Sequence, residues 1–387
     1  MPEAVIVDAV RTPIGRAFKG SLAQLRPDET GAFVVDELLE RNPGVDPDLV
    51  EEVICGCGMP QGLQAFNIGR IIALLSEKLP DHVNGSTVSR YCASGLDAIR
   101  FAANNVVVGQ GDVYVAAGVE FVSRFNERSE AAGGADQNEQ LQGRNGHPDA
   151  YIAMGLTAEN VAQKYGVTRE QQDEYAQRSQ ERAVAAQEDG SFDNEIVPVT
   201  LPDGTRVARD DGPRASSSVE KLSVLEPAFR ENGTVTAGNS CPLNDGAAAA
   251  LVMSAGKAQE LGLEPRARIV TAATWGNEPE YMGVAPIGAV KKALARASMS
   301  MSDIDVVELN EAFAAQVIPI ASETGMDFDK LNPRGGAIAL GHPFGMTGVR
   351  MMTTLLNDLE LRGGHFGLET MCVAGGQGEA MIVERLR

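Results

Sequence analysis

Apolar residues recur along this chain in two rhythms. Ala4 to Val10 and Val53 to Gly58 are short β-branched runs that read as strands, and between them Thr30 to Leu39 carries helical spacing. Strands alternating with helices predict an α/β layering. The pattern sharpens further on. Val83 to Val88 reads as a strand, Leu96, Ile99, Ala103 and Val106 recur at helical spacing, Gly109 and Gly111 stop that helix, and Val113 to Ala117 is extended again. Late in the chain Val349, Met352, Leu356 and Leu359 repeat the same apolar spacing, Gly363-Gly364 ends it, and Phe366 to Met371 resumes as a strand. This repetition implies two related α/β halves. From about Phe121 to Asn244 the texture turns to Gly, Asn, Gln and charge, including Gly133 to Gly146 and Asp210 to Ser218. That segment reads as a loop-rich insertion with one helical region, Thr157 to Tyr165 and onward from Thr168 to Gln187, with Thr168 and Glu170 as start signals. Ordered insertions of this length usually cover a ligand.

Composition narrows the function. A chain of 387 residues with 43% hydrophobic content can bury a large core and favours two or three domains. A formal net charge of -20 gives a global field that repels nucleic acids and anionic membranes, so neither is an expected partner and any anionic ligand must be held by local chemistry. The five cysteines are odd in number and scattered, which argues against a disulfide framework and for free thiols in a reducing cytosol. The N-terminus lacks a basic region followed by an apolar stretch, and no apolar run reaches about 18 residues, so neither a secretory signal nor a membrane span is expected.

Four positions could carry chemistry. Cys92, in Ser89-Arg90-Tyr91-Cys92-Ala93-Ser94-Gly95-Leu96, falls where a strand is expected to turn into a helix, and backbone N–H groups with the positive helix end should stabilise a thiolate there. A small core cysteine would occupy the same place equally well. His342 sits among the glycines of Gly335 to Gly348, where an imidazole could deprotonate a thiol; His82, His147 and His365 have no comparable setting. Cys372, in Thr370-Met371-Cys372-Val373-Ala374-Gly375-Gly376-Gln377-Gly378, ends a strand, as a proton shuttle or a structural thiol would. Asn310, in Asn310-Glu311-Ala312-Phe313 after the strand Val306 to Leu309, could orient water or an oxyanion, or simply open a turn. Cys55-Gly56-Cys57-Gly58 lacks a second Cys or His pair nearby and reads as a buried strand, so no metal site is expected.

Taken together these stretches resemble the thiolase family, from Arg11-Thr12-Pro13-Ile14-Gly15 through to Cys372. The resemblance implies a five-layered α/β/α/β/α fold of two similar halves: residues 1–120 with 245–265, and residues 266–387, with 121–244 as a loop domain over the coenzyme A site. It implies that Cys92 is acylated, that His342 activates it, and that Cys372 handles the proton at the substrate α-carbon. Asn310 would hold a water that forms one oxyanion site with His342, and the N–H groups of Cys92 and Ala374 would form the other. Glycine is usual at the latter position, but only the N–H is needed. Met154, Arg214, Phe229, Ala237, Cys241, Ala312 and Phe313 match positions that line the coenzyme in relatives. Coenzyme A enters as a co-substrate with no permanently bound cofactor, and a homodimer through the region of Val83 to Val88, or a homotetramer, is implied. Two departures bear on substrate choice: Ala153 stands where short-chain acetoacetyl-CoA thiolases have histidine, which leaves a roomier acyl pocket, and Cys241 replaces a common serine.

The implied reaction is thiolytic cleavage of a 3-ketoacyl-CoA, in β-oxidation-type degradation of medium, longer or ring-bearing chains in the cytoplasm. Biosynthetic acetoacetyl-CoA formation is the alternative direction. A decarboxylating or hydroxymethylglutaryl-type condensing enzyme is similar in fold, but the pairing of Cys92 and Cys372 with Gly341-His342-Pro343 favours a thiolase. A non-catalytic acyl-CoA binding protein would not need all four positions filled.

Overall fold

The computed structural model describes residues 2–125, 137–143 and 146–387. Among these the strands are β1 (Ala4–Arg11), β2 (Gly15–Arg16), β3 (Glu52–Cys57), β4 (Asn84–Val88), β5 (Val113–Phe121), β6 (Val199–Thr200), β7 (Arg206–Val207), β8 (Asn244–Ser254), β9 (Ala267–Gly276), β10 (Val306–Leu309), β11 (Phe366–Val373) and β12 (Gln377–Arg385). The helices are α1 (Pro27–Arg41), α2 (Ile68–Leu75), α3 (Ser94–Val108), α4 (Met154–Tyr165), α5 (Arg169–Glu188), α6 (Val219–Ser223), α7 (Ala255–Glu260), α8 (Ala285–Ala297), α9 (Ala314–Thr324), α10 (Ala337–Leu340) and α11 (Phe344–Arg362).

Strand order repeats. The first half runs β1-β8-β5-β3-β4, and the second runs β9-β12-β11-β10. In each, the first strand pairs antiparallel with the last, the last pairs antiparallel with the next, and that one pairs parallel with its outer neighbour. The half-sheets join at an edge where β1 meets β9 through Val5–Arg268 and Ile6–Ala267. Three apolar clusters fill the spaces between five layers, the central one lining both sides of the middle layer. Val34, Leu38, Ile68 and Ile72 of α1 and α2 pack outside the first half-sheet, and Val290, Leu294, Val317 and Ile320 of α8 and α9 pack outside the second. Between the sheets lie α3 and α11, with Leu96, Ile99, Val349 and Leu356 in one cluster.

The apolar spacing shared by the two halves therefore belongs to the two central helices. Both end where glycine was expected to stop them, at Gly109 (φ 74°) and Gly363 (φ 66°), each in the left-handed region. They approach closely: a Cβ on Gly95 would lie 2.6 Å from the Gly345 carbonyl oxygen, and one on Gly348 would lie 2.2 Å from Leu96 N. Glycine inside a helix costs about 1 kcal/mol, while each large aliphatic side chain sealed by this approach contributes roughly 1.5–3 kcal/mol, so close packing wins.

The described part of the inserted segment is more ordered than its composition suggests. Thr168 caps α5 in a box with Gln171, not with Glu170. Two buried charge clusters bind the insertion to the halves. Arg11, fully buried, reaches Glu195 (2.8 Å) and both oxygens of Asp210 (2.8 and 3.0 Å). The Glu311 carboxylate accepts from Tyr175 (2.7 Å) and Ser179 (2.6 Å) of α5 and from Asn332 (2.8 Å). The loop expected from Gly133 to Gly146 lies partly outside the described residues.

Candidate active site

Cys92 occupies a short 3-10 turn, Tyr91–Ala93, directly before α3. Tyr91 holds φ at 44°, a conformation rare for a non-glycine residue that recurs at functional turns. This turn packs against the start of α11, so the N-terminal ends of both central helices meet beside Cys92. Residue 92 is partly exposed, while Cys372, at the end of β11, is fully buried. Asn239 and Cys241 pair with Ala314 and Ala312 through backbone hydrogen bonds of 2.9 and 3.0 Å, which carries Cys241 to the same place. Three thiols thereby converge. Cys372 and Cys241 are near enough to act electrostatically on Cys92, and the Ala374 N–H faces its sulfur.

The expected resting thiolate is not what these surroundings favour. Burial pushes the Cys92 thiol well above its ordinary value, the Cys372 and Cys241 thiols push it the same way, and the Ala374 N–H pulls against them. These surroundings favour the neutral thiol over the thiolate, so a base beside Cys92 would assist its attack. Burial also raises Cys372 to about 11, opposed by Gln316, whose amide donates to its sulfur at 2.8 Å. A neutral buried thiol of this kind is a proton donor at neutral pH.

His342 can be the base. It is 1% exposed, and burial first and the Arg350 charge second lower its pKa to about 3, so the imidazole is neutral. Its Nδ1 lies 2.6 Å from the Thr347 hydroxyl, which donates to the Pro343 carbonyl at 2.8 Å. That hydroxyl has one proton and has spent it on Pro343, so it accepts from Nδ1–H. The network assigns the tautomer and leaves Nε2 with its lone pair. Asn310 Nδ2 donates to Nε2 at 3.2 Å, in agreement, and Asn310 Oδ1 is buried with no partner among the described residues. Asn244 holds the His342 backbone N–H at 2.9 Å.

A further group in this site was not foreseen. Glu120, in an otherwise apolar stretch of β5, is fully buried beneath the turn and accepts from the N–H groups of Gly58 (2.7 Å), Met59 (3.2 Å) and Gly345 (2.8 Å) and from the Gln64 amide. It ties the first half to the start of α11. Burial raises its pKa to about 7 against the pull of those donors. A lone carboxylate in an apolar strand was the available signal.

One wall of the site is apolar. Met154, Cys241, Ala312, Phe313 and Cys372 share a cluster with Met282. Phe229 meets Phe313 edge-on at 5.9 Å and lies over Gly155, where no Cβ would fit. Ala237 is exposed on a neighbouring turn. Arg214 stands apart on the surface beside Gln180 and Ser217 and near the Arg16 cation, which lowers its pKa after desolvation does. Neither guanidinium has a carboxylate at ion-pair distance among the described residues.

The family pattern described as Thiolase, N-terminal domain, matches residues 4–256, and that described as Thiolase, C-terminal domain, matches residues 263–385. The chain belongs to the thiolase family. A beta-ketoadipyl-CoA thiolase of Acinetobacter baylyi is 44% identical over 403 residues, covering 100% of both chains. An acetyl-CoA acetyltransferase of Chromobacterium violaceum is 45% identical over 394 residues, 99% of this chain and 100% of that one. The dimeric peroxisomal thiolase of Saccharomyces cerevisiae superposes with a TM-score of 0.92 at 38% identity, over 99% of this chain and 97% of its own. This thiolase is accordingly an acyltransferase acting on coenzyme A thioesters: it cleaves a 3-ketoacyl-CoA with free coenzyme A, or runs the reverse condensation.

The remaining thiols play no visible part. Cys55 and Cys57 are buried in β3, where burial raises both thiols well above their ordinary value. Among the described residues no group of three or more His, Cys, Asp or Glu side chains is arranged to hold a metal ion, and no helix is long and apolar enough to cross a membrane.

Proposed function

We propose that Cys92 is the acyl carrier of this thiolase. The supporting observation is its partly exposed turn, with the Ala374 N–H facing the sulfur and the buried Cys372 thiol in electrostatic reach. His342 Nε2 takes the Cys92 proton as the sulfur attacks the keto carbon. The oxyanion that forms is bound by Nε2–H together with a water held on Asn310, and the bond between the α- and keto carbons breaks. Cys372 gives its proton to the departing carbanion, releasing acetyl-CoA. The Cys372 thiolate next takes the proton of incoming coenzyme A, whose sulfur attacks acyl-Cys92. The thioester oxyanion of that step is bound by the N–H groups of Cys92 and Ala374. Expulsion of the Cys92 thiolate, reprotonated by His342, restores the starting state.

The insertion covers the coenzyme in this reading. Met154, Phe229, Ala312, Phe313, Ala237 and Cys241 flank the pantetheine arm. The cations Arg214 and Arg16 supply local positive charge for its phosphate end, which an acidic chain otherwise lacks. Ala153, exposed at the start of α4 with no side-chain cap, supports acyl groups bulkier than acetyl and hence degradative thiolysis in a β-oxidation-type pathway of the cytoplasm. Among the described residues no strand pairs with the outer side of β4, which supports pairing with a second copy, as a dimer or a pair of dimers.

Incubation with a 3-ketoacyl-CoA, without free coenzyme A, should leave an acyl increment on the intact protein that Cys92→Ala abolishes. An unmodified wild-type protein that still turns over would sink the assignment. A thiolysis profile from acetoacetyl-CoA to bulky 3-ketoacyl chains should rise with size; a maximum at acetoacetyl-CoA would restore the biosynthetic reading.

A further inference from the structure

Ala374 begins a turn with little stiffness of its own. Gly375 and Gly376 follow it, both at φ 78°, and the Gly376 carbonyl accepts from Asn277 N at 2.6 Å. The Ala374 carbonyl, one peptide beyond the N–H that faces Cys92, is held by side chains. Gln377 Nε2 donates to the Ala374 carbonyl at 3.2 Å, and Gln377 Oε1 accepts from Arg90 Nη1 at 3.1 Å. Arg90 has only donors, so the amide cannot be reversed. Its guanidinium is fixed in turn by the buried Asp97 carboxylate on α3. Since Arg90 stands two residues before Cys92, these contacts close a ring: Cys92 to Arg90 along the chain, Arg90 to Gln377, Gln377 to Ala374, and Ala374 N–H back to the Cys92 sulfur.

We propose that Arg90 and Gln377 are positioning residues that set the Ala374 N–H on Cys92, acting across 287 positions of sequence to hold the oxyanion site. The β11–β12 ladder, in which Val373 pairs with Gln377, flanks Ala374 on one side, and the pair restrains its carbonyl on the other, where two glycines follow. The pair touches no substrate and acts through Ala374, so its effect belongs to kcat and to the ionisation of Cys92, not to substrate binding. The inference rests on the assignment of Cys92 and Ala374 made above.

The test follows alkylation of Cys92 by iodoacetamide against pH, with Cys92→Ala as background, beside kcat and KM for cleavage of acetoacetyl-CoA. The groups facing the sulfur, namely Cys372, Cys241 and Glu120, stay unchanged in every variant. In Gln377→Ala the alkylation profile should move to higher pH and kcat should fall about tenfold with KM within about twofold. Gln377→Glu keeps the acceptor for Arg90 but cannot donate to the Ala374 carbonyl, and should behave alike. Arg90→Lys should shift both readouts in the same direction, and combining it with Gln377→Ala should add little, because one ring is already open. An unmoved alkylation profile in folded Gln377→Glu, or effects of the two sites that multiply, would overturn the proposal. Alkylation that persists undiminished in Cys92→Ala would instead overturn the assignment of the nucleophile, a separate outcome.

Discussion

Thr347→Val isolates the device that prepares His342. The substitution keeps the shape of a side chain that is fully buried and removes the oxygen 2.6 Å from Nδ1. In the native protein that oxygen can only accept, because its proton goes to the Pro343 carbonyl. Losing it leaves Nδ1–H buried without a partner, and the neutral imidazole then gains by moving its proton to Nε2, the atom that receives the thiol proton in the proposed mechanism. Leaving a buried donor unpaired costs about 1–3 kcal/mol, so the competent tautomer should fall by roughly 5–150-fold, and kcat/KM with it. The assay is the initial rate of coenzyme A-dependent cleavage of acetoacetyl-CoA, run beside Thr347→Ser, which restores the hydroxyl. Cleavage by Thr347→Val within twofold of the parent would refute the tautomer argument. So would a Thr347→Ser variant as damaged as Thr347→Val.

Three other outcomes are expected. Cys372→Ala should still form acyl-Cys92 from acetyl-CoA, seen as a mass increment, while carbon-carbon cleavage drops by at least about 100-fold for want of the proton donor. Gly95→Ala puts a methyl 2.6 Å from the Gly345 carbonyl oxygen and 3.1 Å from Val349 N; denaturant unfolding should show a loss of about 1–3 kcal/mol, and full stability would mean that the central helices can part. The third concerns acid. His342 is held neutral down to about pH 3 when folded, against an ordinary value of 6.5. The unfolded chain therefore binds a proton that the folded one refuses, and this contribution is complete above pH 6.5 and lost as pH falls toward 3, by at most about 5 kcal/mol. The stability of His342→Asn should fall less steeply across that window; parallel curves would contradict the assigned burial.

Much of this molecule could be read from its sequence because local rules and long-range packing agree there. The matching apolar spacings after Cys92 and after His342 belong to two helices packed on each other, and each ends at its glycine. The ionisation of Cys92 could not be read locally. A cysteine before a helix suggests a thiolate, but the sulfur is governed by burial and by Cys372 and Cys241, which the chain brings from far away. Thr347 lies within a stretch whose importance was visible, yet its function depends on which oxygen its proton reaches. Arg90 and Gln377 meet only after both halves have folded.

The doubled architecture carries no spare. One copy contributes the sulfur proposed to carry the acyl group and the other contributes the imidazole, the amide and the second sulfur, while the Glu120 carboxylate fastens the two at the point where they meet. Internal repetition ordinarily shelters a protein from local damage, since one unit can decay while its twin persists. Here the groups gathered at the candidate site come from both units, so neither unit can stand in for the other.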